Sequence, residues 1–204
     1  MNEDTYLRLV RFDAEAEEIH DLLCVPEVYE YLADGIEPPP SIAVDWVNSS
    51  LDDFLAFGGG LWALQSSRCA GALGLVGLSD FDSGSLQLTY LLHPSMWGHG
   101  YATRMAATAM AYAFDTGLVT SVWAGADVAN GRSIAVLERL GMSIRGHVDY
   151  PAGPGVEYAV HADGFDASQH RRLPLWAQYE DDAMLANAGR SGSSYADAVW
   201  FVGA

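Results

Sequence analysis

Three strand candidates crowd together between Leu61 and Leu92, and their spacing constrains the fold more than any other feature of the chain. Leu61 to Gln65, Cys69 to Leu78 and Ser85 to Leu92 are separated only by short turn signals, Ser66-Ser67-Arg68 and Asp80 to Gly84. A parallel pair needs a crossover of about a dozen residues or more, so connections this short leave only an antiparallel meander.

The flanks complete the architecture. Tyr6 to Phe12 reads as a first strand, Ala14 to Cys24 places Ile19, Leu22 and Leu23 at helical spacing, and Pro26 opens a short helix through Tyr31 and Leu32. Gly35 and Pro38-Pro39-Pro40 force a stiff loop. Ser41 is placed to cap a helix with Ile42, Val44, Trp46 and Val47, and Ser50 to cap a second one ending near Gly58-Gly59-Gly60. Beyond the meander the pattern predicts a helix from Tyr101 to Asp115, a strand from Thr120 to Ala126, a helix from Gly131 to Arg139, and strands at Met142 to His147 and Val156 to His161. The expected class is α+β, a mixed and mostly antiparallel central sheet flanked by helices. No internal repeat is visible.

A length of 204 residues suits one domain with an appendage. The expected division is a domain over 1–162 and a C-terminal extension over 163–204, in which Leu175, Tyr179 and Ala183 fit a short amphipathic helix. Gly189 to Ser194 has a linker composition, and Ala198 to Val202 reads as a last strand that wants its own core or a neighbouring subunit, the latter making a homodimer.

Charge excludes several functions. There are 27 acids against 10 bases, a net charge of −17, and every base is arginine. Without lysine there is no P-loop phosphate lysine, no pyridoxal Schiff base and no lysine nucleophile. The negative charge opposes non-specific binding to nucleic acid or an anionic membrane, and favours encounter with cationic partners such as amines. No apolar run approaches the roughly 18 residues of a membrane helix, and the acidic start does not resemble a targeting peptide. The chain thus reads as soluble and cytoplasmic. Cys24 and Cys69 lack CxxC spacing and the six histidines lack metal spacing, so both thiols are expected reduced and buried, with no metal.

The stretch from Tyr90 to Thr103 carries the most chemistry. A strand runs into Pro94, then Gly98 and Gly100 punctuate a turn that feeds a long helix. The first amides of a helix lack intrahelical partners, and its dipole adds about 0.3–1 kcal/mol for an anion. Glycines let a phosphate approach the backbone, and Ala102 keeps the first turn narrow. Two glycines also serve a plain tight connection. Further on, Asn130 stands at an N-cap position with Ser133 three residues later, and Ile134, Leu137 and Leu140 form an apolar stripe; a simple cap is the competing reading.

Together, Trp97-Gly98-His99-Gly100-Tyr101-Ala102-Thr103 and Asn130 to Met142 resemble the GNAT superfamily of acetyl-CoA-dependent N-acetyltransferases. The similarity is to its branch of ribosomal-protein N-terminal acetyltransferases, and it spans roughly residues 5 to 162.

The resemblance implies two splayed central strands and acetyl-CoA as co-substrate. It places the pyrophosphate on the amides of roughly Gly98 to Thr103 (Gly98, His99, Gly100, Tyr101, Ala102 and Thr103), with Trp97 heading the cofactor-binding motif, and the pantetheine beside Leu91, Leu92 and His93. The Leu92 amide is implied to polarise the thioester carbonyl. Asn130 is implied to bond the pantetheine arm, and Arg132 either to meet the 3′-phosphate or to stay solvated. Ser133 is implied to serve the departing thiolate, because the tyrosine of many relatives is Leu137 here. The glutamate base of many relatives corresponds to Gln87, which cannot titrate; Asp34, Asp80, Asp82 and His93 are the alternatives. Tyr31, Asp34, Trp46, Gln87 and Tyr90 are the expected acceptor contacts, the acceptor being a peptide N-terminus or a small-molecule amine. A catalytically silent acyl-CoA-binding module is the other reading. A dinucleotide-binding oxidoreductase is excluded because GxGxxG would need glycine where Thr103 stands.

Overall fold

The computed structural model describes residues 5–10, 15–32, 35–150 and 153–176. The strands are β1 (Thr5–Leu9), β2 (Gly60–Ser66), β3 (Cys69–Asp82), β4 (Ser85–Leu92), β5 (Ser121–Asp127), β6 (Ser143–Tyr150), β7 (Gly153–His161) and the two-residue β8 (Leu175–Trp176). The helices are α1 (Ala16–Leu23), α2 (Pro26–Tyr29), α3 (Pro40–Phe57), α4 (Tyr101–Asp115) and α5 (Gly131–Arg139). One sheet runs β6-β7-β5-β4-β3-β2-β1-β8, antiparallel except at β4/β5 and β1/β8.

The meander forms as its turns require. β3 runs longer than expected, so Ser83 and Gly84 alone make the β3–β4 turn, at φ 48° and 84°. Two successive positive φ values suit the twist of a two-residue hairpin. Across the meander Leu61 pairs with Gly77, and Gly77 with Thr89, making one transverse row.

The joint between β4 and β5 is incomplete. Only Ser85 to Gln87 pair, with Ser121 to Trp123, while β5 pairs along its whole length with β7. Leu88 to Leu92 therefore diverge from Ala124 to Asp127, opening a gap in the middle of the sheet.

Each face of the sheet has its own core. On one, Leu86, Leu88, Tyr90 and Leu92 pack with Met105, Ala106, Ala109 and Met110 of α4 and Val136 and Leu137 of α5. On the other, Ala63, Leu75 and Leu91 pack with Ile19, Leu22 and Leu23 of α1 and Ala43, Trp46 and Val47 of α3.

Four expectations need correction. Ser50 does not start a second helix: α3 runs through it, from Pro40 to an end at Gly58 with φ 79°. The buried Ser50 hydroxyl donates to Val10 O (3.1 Å) and accepts from Leu61 N (2.8 Å), so it serves distant backbone instead of its own. Ser41 caps nothing, because Pro39 and Pro40 already open the helix. Cys24 is half-buried rather than buried, its Sγ lying 3.3 Å from His20 Nε2.

The fourth correction concerns Leu175, which extends as β8 beside β1 instead of entering a helix. Leu173 is buried in the α4-side core, its N–H donates to Thr108 Oγ1 (2.8 Å), and Pro174 O accepts from Leu7 N (2.9 Å). These backbone contacts, with Phe165 packed on Phe114 at 5.5 Å, tie residues 165–176 along α4 to the sheet edge. The helix expected around Tyr179 and Ala183 and the strand at Ala198 to Val202 lie outside the described residues. Among the described residues, no helix is long and apolar enough to cross a membrane.

Candidate active site

Beyond β4 the chain makes one 3-10 turn, Pro94–Met96, before α4. His93 Nδ1 accepts from Ser95 N (3.2 Å), so this histidine caps the turn and its ring proton is assigned to Nε2. Trp97 Nε1 reaches back to donate to Leu92 O (2.8 Å). Gly98 and Gly100 hold φ 74° and 75°, and a methyl built on either would meet no protein atom within 4 Å. Both glycines thus satisfy a left-handed backbone, and the side a Cβ would occupy is open.

A cleft of about 570 Å³ lies in front of this corner. Leu92, Trp97, Gly98, Gly100 and the first turn of α4 form one wall; Gly131, Arg132, Ala135 and Arg139 of α5 form the other. Two helix N-termini converge on it, and the Arg132 guanidinium stacks over the Trp97 ring at 3.9 Å. In a chain of net charge −17, two dipole ends and two arginines make this cleft a local anion site. Trp97 therefore has a structural task, holding Leu92 on one side and Arg132 on the other.

The Leu92 amide follows from strand register. His93 N donates to Leu73 O (2.9 Å), so the backbone groups of residues 93, 91, 89 and 87 turn to β3. Those of residues 92, 90 and 88 turn the other way, and at Leu92 that side is the gap. Leu92 also lines the cleft, whereas the Leu91 side chain is buried on the opposite face, against α1 and α3.

Asn130 and Ser133 sit beneath the cleft. Asn130 is buried and its Oδ1 accepts from Ser133 N (3.1 Å), so it caps α5. Ser133 is fully buried. The Tyr90 hydroxyl donates to Ser133 O (3.0 Å) and lies 2.9 Å from Ser133 Oγ, where either oxygen can donate. Burial holds the Tyr90 phenol far above its ordinary pKa, against the smaller opposing effects of the Ser133 hydrogen bond and the Arg139 charge. Tyr90 stays protonated and supports Ser133 from below. Leu137, standing where many relatives are expected to have a tyrosine, is buried in the core.

The other expected acceptor residues do not line this cleft. Trp46 and Gln87 are buried on the α3 side of the sheet, and Tyr31 is half-buried at the end of the early helices. Asp34 lies outside the described residues, and only the backbone of Asp80 is described. His99 is exposed at the corner, while Tyr101 and Thr103 are half-buried, with Arg104 over the Tyr101 ring at 5.1 Å. Sequence reading missed Arg139, whose position two turns along α5 brings it to the cleft only once that helix is built. It also missed the Tyr90–Ser133 contact, which joins positions 43 residues apart.

A meander, a splayed parallel joint and a glycine corner between two helix N-termini define an acyltransferase architecture. The family model described as acetyltransferase (GNAT) domain matches residues 6–143, and the chain belongs to this GNAT acetyltransferase family. Its fold is similar to that of the ribosomal L7/L12 α-N-protein acetyltransferase RimL in complex with coenzyme A (TM-score 0.69, 14% identity, 80% of this chain and 97% of that one). It is also similar to spermidine N-acetyltransferase from Vibrio cholerae in complex with CoA and spermine (TM-score 0.65, 16% identity, 80% and 98% covered). In sequence it is 28% identical over 101 residues to the uncharacterized protein YkkB of Bacillus subtilis strain 168, a match spanning 48% of this chain and 59% of that protein.

Proposed function

We propose that the protein moves the acetyl group of acetyl-CoA to a primary amine by direct attack within a ternary complex. The observation that carries this reading is the anion-binding cleft at the mouth of the β4–β5 gap, with glycines 98 and 100 opening its backbone to a diphosphate. The residues fit coenzyme A: the α4 N-terminus suits the diphosphate, and Arg132 and Arg139 suit its other phosphate. The pantetheine arm adds to the gap edge of β4 at Leu92, close to Asn130.

Acetyl-CoA supplies the acyl group as a thioester. The Leu92 N–H stabilises the charge developing on the carbonyl oxygen. Tyr90 donates to Ser133 Oγ, which leaves the serine hydroxyl free to hydrogen-bond the departing thiolate without giving up its proton; in the other arrangement Tyr90 donates to Ser133 O. The carbon–nitrogen bond forms as the carbon–sulfur bond breaks, and the amine proton leaves to water, since Gln87 cannot accept it.

Incubation of the purified chain with acetyl-CoA and peptides, polyamines and aminoglycosides, followed by mass spectrometry, tests this directly. Acetylated product is expected, with kcat lowered about tenfold or more by Ser133→Ala. No product from any amine would refute it. A catalytically silent acyl-CoA-binding module is favoured by one observation, the buried Gln87 and Leu137 where titrating groups are expected. It predicts calorimetric binding of acetyl-CoA without turnover.

A further inference from the structure

Another cavity lies on the opposite face of the sheet, under α3. It measures about 260 Å³ and is floored by the transverse row Leu61, Gly77 and Thr89. Gly77 carries no side chain, and Leu61 leans over it from the neighbouring strand. A methyl built there would lie 3.3 Å from Leu61 Cδ1 and 4.0 Å from Thr89 Cβ.

Two ridges of α3 make the roof. Ile42, Trp46 and Ser50, spaced four residues apart, form the inner one, and Asp45, Ser49 and Asp53 the outer one. The two aspartates stand about 12 Å apart along the helix axis. The cavity is thus apolar inside and acidic at its rim.

Thr89 supplies the independent sign of a ligand. It is only 7% exposed, it lines the cavity, and its buried Oγ1 has no hydrogen-bond partner among the described residues. Native proteins leave few buried hydroxyls in that state. Thr89 also sits two residues past Gln87, the last β4 residue paired with β5, so it borders the gap where the thioester is proposed to lie.

We infer that this cavity is the acceptor site and that its ligand is a small diamine: an apolar spine with a second, cationic nitrogen. This rests on the acetyltransferase reading above. The reacting nitrogen must be neutral when it attacks, which fits a neutral threonine hydroxyl at the gap. The distal ammonium goes to the aspartate rim, and the methylenes between lie against Trp46 and Leu61. A cavity this size is at the small end of ligand sites and suits a small molecule better than a protein terminus.

The test compares acetyl-CoA-dependent turnover of 1,8-diaminooctane, octylamine and a tetrapeptide with a free N-terminus, alongside calorimetric titration of the diamine alone. The diamine is expected to have a kcat/KM at least tenfold above both others. Asp45→Asn is expected to raise its KM at least fivefold with little change in kcat, and to weaken calorimetric binding equally. Thr89→Val should lower turnover, with Thr89→Ser restoring it. Preference for the peptide, or a diamine KM indifferent to Asp45→Asn, overturns the inference while leaving acetyl transfer intact. Diamine binding that depends on Asp45, with no acetylated product from any amine, keeps the cavity assignment and removes the transferase reading instead.

Discussion

Replacing Gly100 separates the two tasks assigned to the glycine corner. Gly100 is the N-cap of α4 at φ 75°, ψ 12°, and a methyl there meets nothing within 4 Å. The stability cost of Gly100→Ala is therefore conformational, about 1–2 kcal/mol for a left-handed alanine. The stiffer unfolded chain returns roughly 0.4–1 kcal/mol of that, leaving a net loss near ~1 kcal/mol. Gly100→Asn should cost less, because asparagine tolerates left-handed backbone. Ligand binding should rank differently. Both side chains project into the open space in front of the helix, where a diphosphate would lie, so both should weaken coenzyme A at least tenfold, or about 1.4 kcal/mol. Urea unfolding gives the first quantity and calorimetric titration of coenzyme A the second. Pantetheine, which has no diphosphate, is the control and should bind all three proteins alike. If both variants bind coenzyme A within twofold of the parent while Gly100→Ala unfolds at lower urea, the corner is only a tight connection, and the reasoning fails.

Three other predictions follow from buried groups. Tyr90→Phe leaves the Ser133 hydroxyl without its partner and should cost about 1–3 kcal/mol in urea unfolding, more than Ser133→Ala, which leaves Tyr90 its carbonyl. The double variant should be non-additive by about 0.5 kcal/mol or more; strict additivity would mean that the two hydroxyls are uncoupled. Because burial raises the native Tyr90 pKa above its unfolded value, the stability it confers is complete below about pH 10 and is lost as pH climbs through the alkaline range. Tyr90→Phe should therefore flatten the fall of stability above pH 10 by roughly one proton, and an unchanged slope would contradict the buried placement. Ser50→Ala removes the bridge between Val10 O and Leu61 N and should cost about 1–3 kcal/mol by thermal or urea unfolding; a neutral result would mean water replaces the hydroxyl.

The elements that could be read from sequence are those whose boundaries are written in adjacent residues. Both ends of α4 and α5 agree with expectation, since Gly100 and Gly117 bracket one and Asn130 and Gly141 the other. β4 agrees because a hairpin glycine and Pro94 bound it. Errors arose where a residue answers to something distant. Ser50 has the chemistry of a cap, but its hydroxyl is claimed by strands from two other parts of the chain. Leu175 shares a helical spacing with Tyr179 and Ala183 in the sequence, but β1 offers it an open edge.

The same distinction divides the site. The proposed donor half is built from backbone in one continuous stretch, Leu92 to Thr103, so its glycine spacing survives as a motif and could be read before any fold was known. The proposed acceptor half exists only through register: Leu61, Gly77 and Thr89 become neighbours because two hairpins fix their pairing, and a one-residue slip would turn all three to the other face. Nothing local requires a threonine at 89 or marks Gly77 as a floor. A chain of this design can change its amine by substitutions at α3 and the β2–β3–β4 row while the coenzyme corner stays as it is. The acceptor must therefore be deduced from what fills the row at positions 61, 77 and 89, and here it is a leucine, a glycine and a hydroxyl without a partner among the described residues, beneath two aspartates.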